Sequence, residues 1–314
     1  MASGELLGVA PAAPRARPRR RARLGNNAPG LPQLLLLAPA QLLLVALILL
    51  PAIHIGWMSL QRASLSGETT FVGFENYRTL FADHVFWRAA WNTFLVTNAV
   101  VYGEMILGLG FALLAAGWMP FRKVFIALLI APYAINEVSA VAMWRFVLEP
   151  DIGMVNWAMM QVGLGQLDWS ADPTDALVLA SVLSVWMHTP FTFLILYAAL
   201  LSVPQELKEA AMVDGAGRVQ VFRHVVLPFI LPALLVALMF RYITAMRVFA
   251  EIWLLTEGGP ARMTEVLAVY LYRAAFRYHE FGLASATAMA MVVISLLVAL
   301  PYLYVAWRRM VRHA

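Results

Sequence analysis

Residues 283–307 read LASATAMAMVVISLLVALPYLYVAW, 25 consecutive positions without a charge. At about 1.5 Å of rise per helical residue, that run spans the roughly 30 Å of hydrocarbon in a bilayer. Backbone amides in lipid have no water to bond, so a run of this kind crosses as a helix. Five further stretches of similar length and apolarity lie at 34–60, 90–116, 124–148, 176–201 and 228–255. The third and fifth of the six spans carry interior charges. The chain reads as an all-α integral membrane protein with six transmembrane helices.

Composition agrees with that reading. Of 314 residues, 62% are hydrophobic and 13% charged, about half the roughly 25% charge of a soluble domain. A soluble core cannot absorb so much apolar side chain, which excludes an ordinary cytosolic enzyme, and the same apolarity excludes a disordered chain. With no cysteine, disulfides, thiolate metal sites and cysteine nucleophiles are excluded. The sequence has no GxxxxGK[ST], HExxH or GxSxG pattern, so neither nucleotide hydrolysis, zinc proteolysis nor serine hydrolysis is expected of it. No catalytic residue, metal or cofactor is expected on this chain.

The net charge of +5 is distributed by topology. Fourteen of the 23 Lys and Arg fall in the N-terminal tail, the loops at 122–123 and 208–223, and the C-terminal end. Six lie in the alternate loops, at Arg62, Arg78, Arg88, Arg262, Arg273 and Arg277. The positive-inside rule then places both termini in the cytoplasm. No basic stripe with interleaved aromatics occurs, so the partner implied is the lipid membrane and not nucleic acid. Residues 1–33, with five Pro, four Gly and six Arg, read as a disordered cytoplasmic tail. The six-span domain occupies 34–309, and 310–314 form a short cytoplasmic end. The first apolar run is too long for a signal peptide and is read as an uncleaved span.

The loop at 202–227 has structure of its own. Ser202 and Gln205 have capping-box spacing, Pro204 suits a first turn, and good helix formers continue to Val213. Asp214-Gly215 supplies a turn, and a second short helix is expected from about 218 to 226, ending at Pro228. Within this loop Glu209-Ala210-Ala211, Asp214-Gly215-Ala216 and Leu227-Pro228 resemble the EAA motif of permease subunits of binding-protein-dependent ABC importers. Three more segments are similar to the sugar branch of that family, which includes maltose, trehalose and glycerol-phosphate permeases: FVGFENY at 71–77, APY at 131–133 and WLLTEGGP at 253–260.

The resemblance implies a type I ABC importer permease fold in a bacterial cytoplasmic (inner) membrane. It also implies a heterodimer with a second permease subunit, two ATPase subunits that carry the ATP and Mg, and an extracytoplasmic solute-binding protein. Glu209, Ala210, Ala211, Asp214 and Gly215 would then be the ATPase-coupling residues: a charge to anchor, a small surface for close contact and a bend. The loops at 61–88 and 151–175 would meet the binding protein.

Ionisable groups within spans are expensive and mark polar cavities or pairs. Glu104, Glu137, Arg241 and Arg247 sit at that depth, with Glu251 and Arg145 nearer the outer interface. Arg247 and Glu251 have i,i+4 spacing for a pair along one helix face; Arg145 is expected to snorkel. Glu104 and Arg241 suit an interhelical pair as well as a substrate contact. A sugar site combines aromatic faces with polar groups, and the candidates are Tyr133, Asn136, Glu137, Trp186, His188, Thr192, Arg247, Phe249, Glu251 and Trp253. The segment 240–249 is similar to the fifth span of trehalose and maltose permeases, but Thr244 and Ala250 stand where aspartate is frequent in that family. Two alternatives stay open: an ATP-independent secondary transporter using Glu104 and Glu137, and an ABC permease for a non-sugar solute.

Overall fold

The computed structural model describes residues 31–64, 67, 69–163 and 165–313. Most of the expected N-terminal tail lies outside the described residues, though its last residues, from Leu31, are already helical. The chain divides into two compact units, 1–51 and 52–314. Helix α1, Leu31–Met58, runs through that boundary.

After the end of α1, the second unit continues with a hairpin of β1 (Gln61–Ala63) and β2 (Thr69–Phe71), antiparallel with Arg62 opposite Thr70. Helix α2 (Glu75–Ala82) follows. The FVGFENY segment is a clip for this hairpin. Gly73 takes φ +57°, Asn76 Nδ2 donates to the carbonyls of Ser59 and Gln61 at 2.8 Å each, and Tyr77 Oη meets Ser59 Oγ at 2.8 Å. Arg62 donates to Glu75 at 2.6 Å.

Among the described residues, five helices are long and apolar enough to cross a membrane, and a bent pair, taken as one span, would make six. Besides α1 these are α3 (His84–Ala116), the pair α4 (Arg122–Ile130) with α5 (Glu137–Val147), α7 (Pro173–Leu201), the helix ending in α10 (Leu227–Ala245), and α13 (Phe281–His313). Short helix α6 (Met154–Gln161) lies between α5 and α7. Asp83 caps α3 through Val85 N, and Asp172 caps α7 through Thr174 N and Asp175 N. Those amides hold the Asp172 carboxyl below its ordinary range.

The core is built on α3 against α7. Gly103 and Gly108 let them approach: a Cβ at Gly108 would stand 2.9 Å from Thr192 Cγ2, and one at Gly103 3.0 Å from Val185 Cγ2. Small residues play this part where lipid gives no hydrophobic drive to association. Val96, Val100, Phe193, Leu196, Ile230 and Leu238 join α3, α7 and α10 in one buried cluster. A second cluster, with Leu80, Phe86, Leu267, Tyr270 and Ala286, ties α2, α3 and α13 to α12 (Leu267–Tyr272). Burial, and then the 2.8 Å hydrogen bond to Asp83, pushes the Tyr270 hydroxyl up, so it stays a donor.

Two of the six expected stretches, 124–148 and 228–255, are interrupted. The third is broken: a 3₁₀ turn at Ala131–Ala134 contains Pro132, and α5 restarts on Asn136, whose side chain accepts from Val138 N at 3.0 Å. Its halves meet at 101°. The fifth stops at Ala245, leaves the helix over 246–249, and resumes as α11 (Ala250–Thr256).

Gly282 sits where α13 passes the hairpin. A Cβ there would overlap the Gln61 carbonyl and come within 2.9 Å of Asn76 Nδ2. Alanine would gain about 1 kcal/mol in helix propensity, against an overpacking penalty of about 1–3 kcal/mol. Gly282→Ala is therefore expected to lower the thermal midpoint of the detergent-purified protein; an unchanged or higher midpoint refutes the clash.

Candidate functional site

The loop at 202–227 forms the two expected elements with altered ends. Helix α8 (Gln205–Val213) starts at Pro204 without a side-chain cap, because Ser202 Oγ turns back to the Ala199 carbonyl at 2.7 Å. The capping box between Ser202 and Gln205 is thus not formed. Asp214 N and Gly215 N bond back to Ala210 O and Met212 O at 3.0 Å each, and Ala216 N closes on Ala211 O at 2.9 Å. Gly215 takes φ +87°, a conformation that suits glycine and strains other residues. The second helix does not end at Pro228. It runs from α9 (Arg218–Val221) through a π-helical turn at Phe222–Val226 straight into α10, with Pro228 in the first turn, where its missing N–H is tolerated. Glu209, Ala210, Asp214 and Gly215 are exposed, and Ala211 is half-buried against the core. Leu207, Met212, Val213 and Val219 add exposed apolar surface to the same loop.

The second site is a cavity of about 340 Å³ where the two broken spans meet α7. Glu137 opens α5; Ser184 and His188 come from α7; Arg241, Thr244 and Ala245 end α10; Arg247 and Val248 lie in the break; Glu251 opens the next helix. Glu251 is 2% exposed, and its Oε2 has no hydrogen-bond partner among the described residues. His188 Nδ1 lies 2.9 Å from the Ser184 carbonyl, an acceptor only, so Nδ1 carries the hydrogen.

Arg241 and Glu104 form the interhelical pair. Arg241 Nε donates to Glu104 Oε2 and Nη2 donates to Oε1 at 2.6 Å, while Nη1 reaches Thr244 Oγ1 at 3.1 Å. The side chains are 5% and 0% exposed. This fork joins α10 to α3 and leaves neither charge uncompensated.

Of the ten expected substrate residues, Glu137, His188, Arg247 and Glu251 line the cavity; the other six do not. Asn136 caps α5. Thr192 is buried against Gly108. Tyr133 packs on Phe191, and Trp186 packs edge-on to Trp144. Phe249 and Trp253 stack at 5.9 Å and pack on Tyr272, with the guanidinium of Arg273 over Trp253. Each aromatic is thus taken up by another ring. The Arg247–Glu251 pair is also absent among the described residues, because the chain is not helical between them. Arg145 donates to the Leu254 carbonyl at 3.1 Å and lies over Trp169. Ser184 and Thr244 line the cavity without having been expected. Their signal was spacing, since Ser184 is one turn before His188 and Thr244 three residues after Arg241.

A multi-span bundle with a structured, exposed loop before its fifth span and a polar cavity between broken helices defines a membrane transport permease. The chain belongs to the family of binding-protein-dependent transport system inner membrane components, which it matches over residues 31–311. It is 35% identical, over 86% of its length and 88% of the relative's, to the sulfoquinovosyl glycerol transport system permease protein of Agrobacterium fabrum. It is 33% identical, over 86% and 92%, to the trehalose/maltose transport system permease protein of Thermococcus litoralis. In structure it is similar to a chain of a bacterial alginate ABC transporter in complex with alginate pentasaccharide-bound periplasmic protein. There the TM-score is 0.77 at 24% identity, covering 87% of this chain and 93% of that one. The chain is a non-catalytic membrane subunit of an ABC importer with the type I fold, and the ATP-independent alternative falls.

Removing one member of a buried ion pair costs about 3–5 kcal/mol, while replacing both with apolar groups is often neutral. Arg241→Leu and Glu104→Leu are each expected to destabilise the purified protein strongly, and the double variant to recover most of the loss. Thermal unfolding of the three proteins checks this; a double variant as unstable as the sum of the singles would refute the pair.

Proposed function

We propose that this chain is half of the translocation pathway of a sugar importer, carrying a mono- or oligosaccharide or a sugar-like polyol phosphate delivered by an external binding protein. It pairs with a second permease and two ATPase subunits that bind ATP and Mg. It lies in a bacterial inner membrane with both termini cytoplasmic. The observation that carries the reading is the cavity of about 340 Å³, whose lining is predominantly polar and charged, between the break in the third span, the break that follows Ala245 and helix α7. Irregular backbone at membrane depth is tolerated where it is covered by protein or lines a wet cavity. A hydroxyl-rich solute needs the bidentate partners that carboxylates and guanidinium groups offer. The sugar named for the two relatives above supports the same class of cargo.

The loop at 202–227 is the coupling element in this reading. Its exposed Glu209, Ala210 and apolar neighbours form the contact with the ATPase, and Gly215 sets the angle. ATP binding closes the ATPase pair, moves the two coupling loops together and opens the pathway outward; hydrolysis resets it.

Gentle purification of the tagged protein from its native membrane, followed by mass spectrometry, is expected to recover an ATPase and a second permease. Recovery of this chain alone from a preparation that still transports would overturn the assembly. Glu209→Lys is expected to insert normally yet reduce uptake at least tenfold while ATP hydrolysis persists. Normal uptake at normal expression would remove Glu209 from the joint.

A further inference from the structure

A second cavity, of about 570 Å³, lies on the outward side of the first when both termini are cytoplasmic. The same two helices reach both. Glu137 and Glu251, at the starts of α5 and α11, line the inner cavity; Arg145, about 12 Å further along α5, and Leu255, about 6 Å further along α11, line the outer one. Among the described residues three guanidinium groups line the outer cavity, those of Arg145, Arg262 and Arg273, against one carboxylate, that of Glu257. Beneath them Glu265, its side chain 0% exposed, takes Arg262 through both oxygens at 2.6 and 3.2 Å and Arg273 at 3.3 Å, so one carboxylate serves two cations. Glu257 stands 3.8 Å from Arg277. Asp168, beside the lining Ser170, is turned onto Ser170 N, Ser170 Oγ and Ala171 N. Arg145, Arg262, Arg273 and Arg277 against Glu257, Glu265 and Asp168 leave one positive charge over. Further out, Asp83, whose field Arg262 also feels, is offset by Arg88, which donates to Met263 Sδ at 2.9 Å. The excess sits on Arg145, which no described carboxylate approaches within ion-pair distance.

We propose that this outer cavity is an entry site on the translocation path that holds the anionic group of a sugar, a carboxylate, sulfonate or phosphate, with Arg145 as its principal ligand. The inference rests on the sugar-importer reading and adds a second site with its ligand chemistry. Arg145 is set in place for this. Trp169, 4% exposed, is fixed by its own N–H to the Leu148 carbonyl at 2.8 Å, and the Arg145 guanidinium lies over its ring at 5.5 Å. Arg145 Nη1 donates to the Leu254 carbonyl at 3.1 Å. Stacking and this one hydrogen bond orient the planar group while most of its five N–H donors stay available, in the fork that matches a carboxylate or phosphate bidentately. Arg262 and Arg273 raise the potential of the same cavity. Arg145 is exposed, so water and salt keep the contact modest, which suits a site that must release what it catches. The step inward exchanges this guanidinium for Arg247, the exposed cation of the inner cavity.

The test uses the complete importer in nanodiscs without binding protein, and reads the fluorine NMR line broadening of two probes, fluorodeoxyglucose and its phosphate ester. The phosphate ester is expected to bind about fivefold or more tighter than the neutral sugar, and raising salt from about 0.1 to about 0.5 M to close most of that gap. Arg145→Gln is expected to bring the two probes within about twofold of each other, with Arg145→Lys between, because a point charge keeps the attraction and loses the fork. Arg78→Gln, which removes an exposed guanidinium from α2, controls for the general positive charge of the protein and is expected to change nothing. Should Arg145→Gln fail to assemble, Arg145→Lys carries the comparison. Equal binding of the two probes, or a preference that the Arg145 variants leave intact, overturns the entry site and leaves the sugar reading standing. An anionic lipid that stays bound to the unaltered importer through delipidation, and is lost from Arg145→Gln, assigns the site to a lipid headgroup and overturns it too. A preparation that transports an amino acid and no sugar overturns both the site and the sugar reading.

Discussion

The structure depends on the rule that a peptide group in hydrocarbon must find its partner inside the protein. Among the described residues five helices obey it unbroken, the third span is bent at a break, and the chain leaves the helix again just after Ala245. The breaks at 131–136 and 246–249 are repaired locally: the Asn136 side chain takes the Val138 amide, while Arg247 N and Val248 N fold back to Thr244 O and Ala245 O at 3.2 and 3.1 Å. Each repaired break delivers a helix start carrying a carboxylate, Glu137 on α5 and Glu251 on α11, to the same cavity. A helix N-terminus favours a negative charge by its dipole, so the backbone that tolerates the breaks also holds the acids there. The Arg241–Glu104 fork neutralises the other guanidinium that lines this cavity.

Much of this was legible in the residues. The spans could be read because apolar length against bilayer thickness is a strong signal, and the loop because Asp214-Gly215 between two amphipathic runs has few alternatives. Pro132 with Asn136 four residues on marks a readable hinge in the third span, the proline breaking the helix and the asparagine capping its restart. The fifth-span break was hidden: 246–249 is Met-Arg-Val-Phe, with no proline or glycine. Its conformation is imposed by the packing of α11 on α5 and α7, a tertiary cause that no local pattern announces.

The aromatic candidates illustrate a different limit. A ring in a span is spaced by the helix, but its partner is chosen by the neighbouring helix. Trp186 meets Trp144 and Phe249 meets Trp253 and Tyr272, so the rings expected to stack on a sugar stack on one another. Charged candidates fared better, since an ionisable group at this depth must reach either a partner or water. Glu104 and Arg241 found each other; Glu137, Arg247 and Glu251 found the cavity. The same selection overlooked Ser184 and Thr244, because short hydroxyls bonding back to their own helix are ordinary in spans.

The loop and the cavity are joined by one continuous piece of helix. From Arg218 through the π-helical turn to Ala245 the chain runs 28 residues without leaving helical geometry, about 42 Å at the α-helical rise. One end leaves Gly215, whose φ of +87° gives the approach its bend; the other stops at the break that places Arg247 and Glu251. The Arg241–Glu104 fork ties this helix to α3, because parting the pair would leave two charges in a dry interior. Helix α3 is in turn packed closely on α7 through Gly103 and Gly108. Helices α3, α7 and α10 therefore form one packed block, and the segments that begin at Glu137 and Glu251 line the cavity beside it.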